Sequence, residues 1–283
     1  MSEANSGAVL SGLERDARIF GIFGVCRSGT TAMQKLLISA GVVAYHQPIK
    51  STLSRGETVV DLSAGGRVSA EARRQIAIKE AIGSYSVLAC TYDALGPIAD
   101  SVPTPEQVQT IITLKDPYNN FLSWIRMTEN APPRKPVTTE QLLENFILSY
   151  KTLHGIFEES RRRGIKTTVF DYDSDSMKDN AEELAQGLLD SIGLDSTAYT
   201  EGSWASIGGV DSPETSVIHL YPRPANILHD HLDASRGLEY VPPHDGAQIL
   251  SPDMQVAVMS RLIDSGVYTA HNAMLQHAVQ LAD

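Results

Sequence analysis

Cysteine is nearly absent from this sequence: Cys26 and Cys90 are the only two in 283 residues. Two thiols cannot build a disulfide scaffold, and these are too far apart for a paired metal-ligand motif, so a reducing compartment, the cytoplasm, is expected. Basic residues are scarce as well. Lys and Arg number 23 against 34 Asp and Glu, a net charge of −11, which argues against a nucleic-acid surface, because phosphate contacts come from clustered cations. An anionic ligand must therefore meet a local basic pocket. The one dense basic run, "RRRG" at 161–164, closes a helical pattern, where cations complement the negative end of the helix dipole. No window approaches the roughly 18 apolar residues of a membrane span, and the first residues lack the apolar core of a signal peptide. No export and no membrane span are expected.

What is present has the rhythm of an α/β protein. With 42% hydrophobic and 20% charged residues, the chain is long enough to bury one large core. Residues 19–25, "IFGIFGV", form a short apolar run bounded by glycine, as a buried parallel strand requires. Further β-like runs stand at 75–83, 108–117 and 165–173, each followed by a turn signal and a helical pattern. The longest helical pattern, 138–164, carries Leu142, Leu143, Phe146, Ser149, Tyr150, Leu153 and Phe157 as one core stripe. These alternations predict a single domain, 1–283, built as a P-loop-type doubly wound parallel sheet flanked by helices. Residues 1–14 are expected to be flexible. The stretch 195–250 lacks a clear period and reads as a long C-terminal loop region suited to an acceptor site or lid. Ser251 and Pro252 then open a closing helical segment.

The chemistry gathers at "GVCRSGTT", residues 24–31, between the first buried strand and a helix. Its glycines keep the G-x-x-x-x-G spacing of a phosphate loop, yet Thr30 stands where a kinase loop carries lysine. A glycine-bounded turn of this kind aims backbone N–H groups and the positive end of a helix dipole at one point, which favours an anion. Ser28, Thr30 and Thr31 add hydroxyl donors, and Arg27 adds a permanent charge. Without the loop lysine, the Mg²⁺-assisted phosphoryl transfer of P-loop kinases is poorly supplied.

The residues "RSGTT" after an apolar strand resemble the phosphosulfate loop of sulfotransferases that use 3′-phosphoadenosine 5′-phosphosulfate (PAPS), including bacterial members with small-molecule acceptors. A second likeness lies in "IITLKDPYNNFLSW": Lys115 ends a strand and Ser123 follows eight positions later, the spacing at which the family holds the 3′-phosphate, usually with Arg in place of this Lys. Residues 167–194 resemble the family's late strand, acidic turn and helix. The resemblance covers about 15–195. It implies PAPS as cofactor, adenosine 3′,5′-bisphosphate as its product, and sulfuryl transfer to a hydroxyl or amine of a small molecule. Arg27 is then the residue on the leaving group, with Arg27, Ser28, Gly29, Thr30, Thr31, Lys115 and Ser123 on the cofactor.

For the proton acceptor the resemblance leaves several candidates. Lys79 and Glu80 lie where the family carries a catalytic Lys with an acid or His nearby. His46, in "AYHQPIK", resembles a His-Glu-Pro segment, with Gln47 in the Glu slot. His229, Asp230 and His231 of the late loops are further candidates. Arg236 and Gly237 resemble an Arg-Lys-Gly segment that closes on the 3′-phosphate. The alternatives are a P-loop small-metabolite kinase and a catalytically weak nucleotide-binding homologue. A homodimer is the default assembly for a soluble enzyme of this kind.

Overall fold

The computed structural model describes residues 8–63, 69, 72–130, 133, 136–207, 217–221, 235, 237–242, 245–246 and 249–279. In chain order the strands are β1 Val9–Ser11, β2 Arg18–Val25, β3 Val43–His46, β4 Val59–Asp61, β5 Gln75–Ile82, β6 Val108–Leu114, β7 Lys166–Asp171 and β8 Val217–Ile218. The helices are α1 Thr30–Ser39, α2 Pro48–Leu53, α3 Val87–Thr91, α4 Gly96–Ala99, α5 Pro117–Asn130, α6 Thr139–Arg162, α7 Asp175–Asp179, α8 Ala181–Ser191, α9 Glu201–Ser206, α10 Pro252–Asp264 and α11 Val267–Leu275.

Six strands form a parallel sheet in the order β7-β6-β2-β5-β3-β8. Its central strands β6, β2 and β5 are buried almost from end to end because both faces are covered. On one face α1, α7, α8 and α9 pack Met33, Leu36, Met177, Leu188 and Trp204 against Phe20, Ile22 and Ala77. On the other face α2, α4, α5, α6, α10 and α11 pack Ile49, Ile98, Trp124, Phe146, Leu262 and Met274 against Phe23, Ile78 and Ile112. The chain passes from β2 to β3 over the α1 face and from β6 to β7 over the α6 face. Crossovers of one handedness that travel in opposite directions must use opposite faces. The architecture is thus a mostly parallel α/β sheet with helices on both sides, compatible with the expected doubly wound fold.

The capping chemistry explains where the helices begin. Thr138 and Gln141 close a capping box at the start of α6, and Ser251 accepts from the Met254 amide ahead of Pro252 in α10. The expected stripe of α6 is buried throughout, and the arginines at its end pair with Glu159 and Asp100. Three expectations are corrected. Residues 9–11, placed in a flexible end, form β1 and pair in parallel with β4. The region 195–250 is not irregular throughout, since it contributes α9 and β8. The closing helical segment is two helices, divided at Gly266, whose φ of 79° lies outside the helical region.

Candidate functional site

Strands β2 and β6 are neighbours, and the connections leaving their carboxyl ends diverge, β2 toward β3 and β6 toward β7. In open α/β sheets, ligands bind in the crevice at such a switch point. The chain places "CRSG" at the end of β2 and Lys115-Asp116 at the end of β6. Both motifs therefore leave the carboxyl ends of neighbouring strands, where such a crevice would form.

Among the described residues, only Arg27 and Gln47 are non-glycine positions with positive φ, 71° and 50°. Both terminate sheet strands at this edge. Such backbone costs about 1–3 kcal/mol and persists only where surrounding contacts enforce it. At Arg27 those contacts come from three directions. Trp124 donates through Nε1 to the Cys26 carbonyl at 2.7 Å. The Ser28 and Thr113 hydroxyls meet at 2.9 Å, and the Tyr172 hydroxyl donates to the Gly29 carbonyl at 3.2 Å. With the carbonyls of residues 26 and 29 held from the protein side, Gly29 at φ 90° opens α1. No side chain caps that helix start and no acid lies in its first turn, so its amide groups and dipole favour an external anion.

The other bank of the crevice is more acidic. Asp116 precedes α5 and accepts from the Asn119 amide at 2.9 Å and the Tyr268 hydroxyl at 3.2 Å. Its own amide donates to Asp173 at 2.7 Å. Lys115 is half-buried there. Desolvation holds its ammonium pKa below the usual lysine range, Asp173 and Asp116 work in the opposite direction, and the Arg27 guanidinium adds to the depression. Arg27 and Lys115 thus lie near enough for each charge to act on the other. Ser123 lies on α5 two turns beyond Lys115, buried, with its hydroxyl donating to the Asn119 carbonyl at 3.1 Å.

The structure separates Lys79 from Glu80. Adjacent residues of a strand point to opposite faces. On the α1 face the Lys79 ammonium lies 3.5 Å from His46 Nε2. His46 Nδ1 is 2.9 Å from the Gln34 side-chain oxygen, and its Nε2 is 3.1 Å from the Gln47 amide nitrogen. If Nδ1 donates to Gln34, the Nε2 lone pair faces the two nitrogens. His219, just beyond β8, adds a second ring with centroids 4.9 Å apart. Gln34 and His219 escaped sequence reasoning, because a glutamine in an amphipathic helix and a histidine in an aperiodic stretch carry no local signal.

Glu80 lies on the opposite face and is fully buried. Its carboxylate accepts from the Ile49 amide at 2.7 Å, the Lys50 amide at 3.3 Å and the Tyr92 hydroxyl at 2.7 Å. It caps α2 from across the chain. Of the acid and the His that could stand near Lys79, the structure places His46 beside it, while Glu80 closes a helix on the other face. Desolvation raises the Glu80 pKa to about 7, against the lowering by Tyr92, the two amides and Lys50. A raised carboxyl pKa gives stability that is fully present below the unfolded value of about 4.4 and is lost as pH rises to about 7. We expect Glu80→Gln to gain on the wild type by about 3 kcal/mol between pH 4.5 and 7.5, read as denaturation midpoints across that range. A pH-independent difference would refute the assignment.

Of the late-loop residues, Gly237 is described, whereas Arg236, His229, Asp230 and His231 lie outside the described residues. The backbone beside Arg236 is anchored on the α1 face: Trp204 donates to the Ser235 carbonyl at 3.2 Å, and the Leu238 amide donates to Tyr199 at 2.9 Å. Leu238 belongs to the same packed cluster as Tyr172, whose hydroxyl holds the loop. Among the described residues no helix is long and apolar enough to cross a membrane. No protein-family model and no curated protein sequence matches the chain.

Proposed function

We propose that this protein is a PAPS-dependent sulfotransferase acting on a hydroxyl or amine of a small molecule. One observation carries the reading: an uncapped helix start behind a strained arginine loop, and a Lys-x₇-Ser pair, share the crevice between β2 and β6. The residues fit a ligand with two separate anionic groups. Arg27, Ser28, Gly29, Thr30 and Thr31 hold the 5′ end, and Lys115 with Ser123 holds the 3′-phosphate. When bound, PAPS supplies a sulfuryl group that passes to the acceptor's oxygen or nitrogen as its bond to the 5′-phosphate oxygen breaks, with the acceptor's proton leaving to a base. Arg27 stabilises the charge that grows on that phosphate oxygen. His46, whose Nε2 faces the Gln47 amide and the Lys79 ammonium, is the base candidate, and Glu80 serves as acceptor for three donors at the start of α2. The cytoplasmic assignment rests on two free thiols, Cys26 and Cys90.

Adenosine 3′,5′-bisphosphate tests the reading without knowledge of the acceptor. At 100 times its dissociation constant it should stabilise the protein by about 2.7 kcal/mol, and the melting temperature should rise by roughly 5–10 °C, equally with and without EDTA. Protection by ATP with Mg²⁺ and none by the bisphosphate would establish the kinase reading instead.

A further inference from the structure

Tyr150 on α6 and His271 on α11 have no part in the site described so far, yet their hydrogen bonds end on Lys115. The backbone pairing of β6 stops at Thr113 against β2 and at Leu114 against β7. The peptide that joins Lys115 to Asp116 lies just beyond that ladder, and side chains hold it instead. Its carbonyl accepts from the Tyr150 hydroxyl at 3.3 Å, and its N–H donates to Asp173 at 2.7 Å. These are the two polar groups of a single plane, so the plane is fixed from both ends. With β6 and α5 packed in the core, its orientation sets how Lys115 bridges them and where the flexible lysine stem begins. Tyr150 is 1% exposed, with the Phe146 ring against its own at a centroid distance of 5.5 Å.

Behind Tyr150 stands His271, buried, with Nδ1 at 2.9 Å from the same hydroxyl. A hydroxyl has one hydrogen, and a carbonyl can only accept. Used on the Lys115 carbonyl, that hydrogen leaves the Tyr150 oxygen as an acceptor, and the ring must then donate from Nδ1. Burial holds the His271 pKa down at about 4, against the opposing pull of Asp116, so near pH 7 the ring is neutral and has one N–H to give. Tyr268, three residues earlier on α11, donates to the Asp116 carboxylate at 3.2 Å. The last helix thus reaches the Lys115-Asp116 turn twice. We propose that hydrogen bonds run in one direction from His271 through Tyr150 to the Lys115 carbonyl, and that these two side chains are positioning residues which aim the Lys115 ammonium at the 3′-phosphate. The inference rests on the reading of Lys115 as the cation of that phosphate.

Calorimetric titration with adenosine 3′,5′-bisphosphate and with adenosine 5′-monophosphate, which lacks the 3′-phosphate, tests the chain. Tyr150→Phe should weaken the bisphosphate about 3- to 10-fold, the worth of one neutral hydrogen bond, and leave the monophosphate within about twofold. In a Lys115→Ala background the same change should move bisphosphate affinity by less than about twofold, because the group it aims is gone. His271→Leu should repeat the selective loss, and His271→Asn, whose amide donates from near the Nδ1 position, should restore most of it. Equal effects on the two nucleotides, a loss that persists without Lys115, or His271→Asn no better than His271→Leu would overturn the positioning role and leave the sulfotransferase reading standing. A wild type that binds the bisphosphate no more tightly than the monophosphate would remove the 3′-phosphate reading of Lys115 itself. A second measurement needs no variant: the imidazole nitrogen shifts of His271 in the wild type at pH 7 should show the hydrogen on Nδ1. A bare Nδ1 would overturn the chain, since the Tyr150 hydrogen would then go to the ring and not to Lys115.

Discussion

Gly29→Ala should abolish nucleotide binding and destabilise the fold, whereas Gly41→Ala, at the other end of the same helix, should do neither to a comparable degree. Both glycines have φ near 90°, at 90° and 83°. Each alanine therefore pays the left-handed backbone penalty of about 1–2 kcal/mol. They differ in their surroundings. A Cβ at residue 41 meets open space, but a Cβ at residue 29 enters the ring of Tyr172. That ring cannot step aside cheaply, since it packs edge-on against Phe170 with centroids 4.9 Å apart and its hydroxyl is bonded to Gly29 itself. Overpacking adds about 1–3 kcal/mol, for a total of about 2–5 kcal/mol at residue 29. Chemical denaturation gives the stabilities, and bisphosphate titration of protein that remains folded gives the binding. Gly29→Ala with wild-type affinity would mean that the loop is not where the anion sits.

The second large effect divides two cations between two tasks. Lys115→Ala should weaken bisphosphate binding by roughly 10- to 100-fold, the worth of a charge-assisted hydrogen bond. The unliganded protein should not lose stability, because the change removes a desolvated ammonium that Arg27 opposes. Arg27→Ala should weaken bisphosphate binding less and slow sulfuryl release from PAPS by roughly 100- to 1,000-fold, since its guanidinium acts on charge that develops in the transition state. Binding is read by calorimetry, and release by formation of the bisphosphate with any competent acceptor. Equal, small effects of the two substitutions would count against the assignment of both groups.

The parts of the fold legible in the sequence are those that depend on local pattern. The β-like runs at 19–25, 75–83, 108–117 and 165–173 became β2, β5, β6 and β7 because β-branched and other apolar residues recur in each, as a strand covered on both faces favours. The stripe of α6 was equally plain. The short elements were not. β3 spans four residues and β8 two, and nothing in "VAYH" or "VI" is long enough to show a period. The same limit acted on the site. Arg27, Lys115 and Ser123 stand within contiguous motifs, and the strand order brings those motifs to one crevice. Lys79 and Glu80 are sequence neighbours that the pleat sends to opposite faces, which a chemical reading of the pair overlooks. Gln34 and Lys50 acquire meaning only from side-chain hydrogen bonds that span 12 and 33 residues of sequence.

The three ties that hold the loop come from β6, from α5 and from the residue after β7, while the loop itself continues into α1 on the other face. No small part of the protein can open and release it alone. Sub-global openings, which free most binding loops at little cost, would here have to break packing on both sides of the sheet. Occupancy of the crevice and the cooperativity of the entire molecule are joined in one equilibrium: a ligand that grips these few residues resists the unfolding of both helical layers at once.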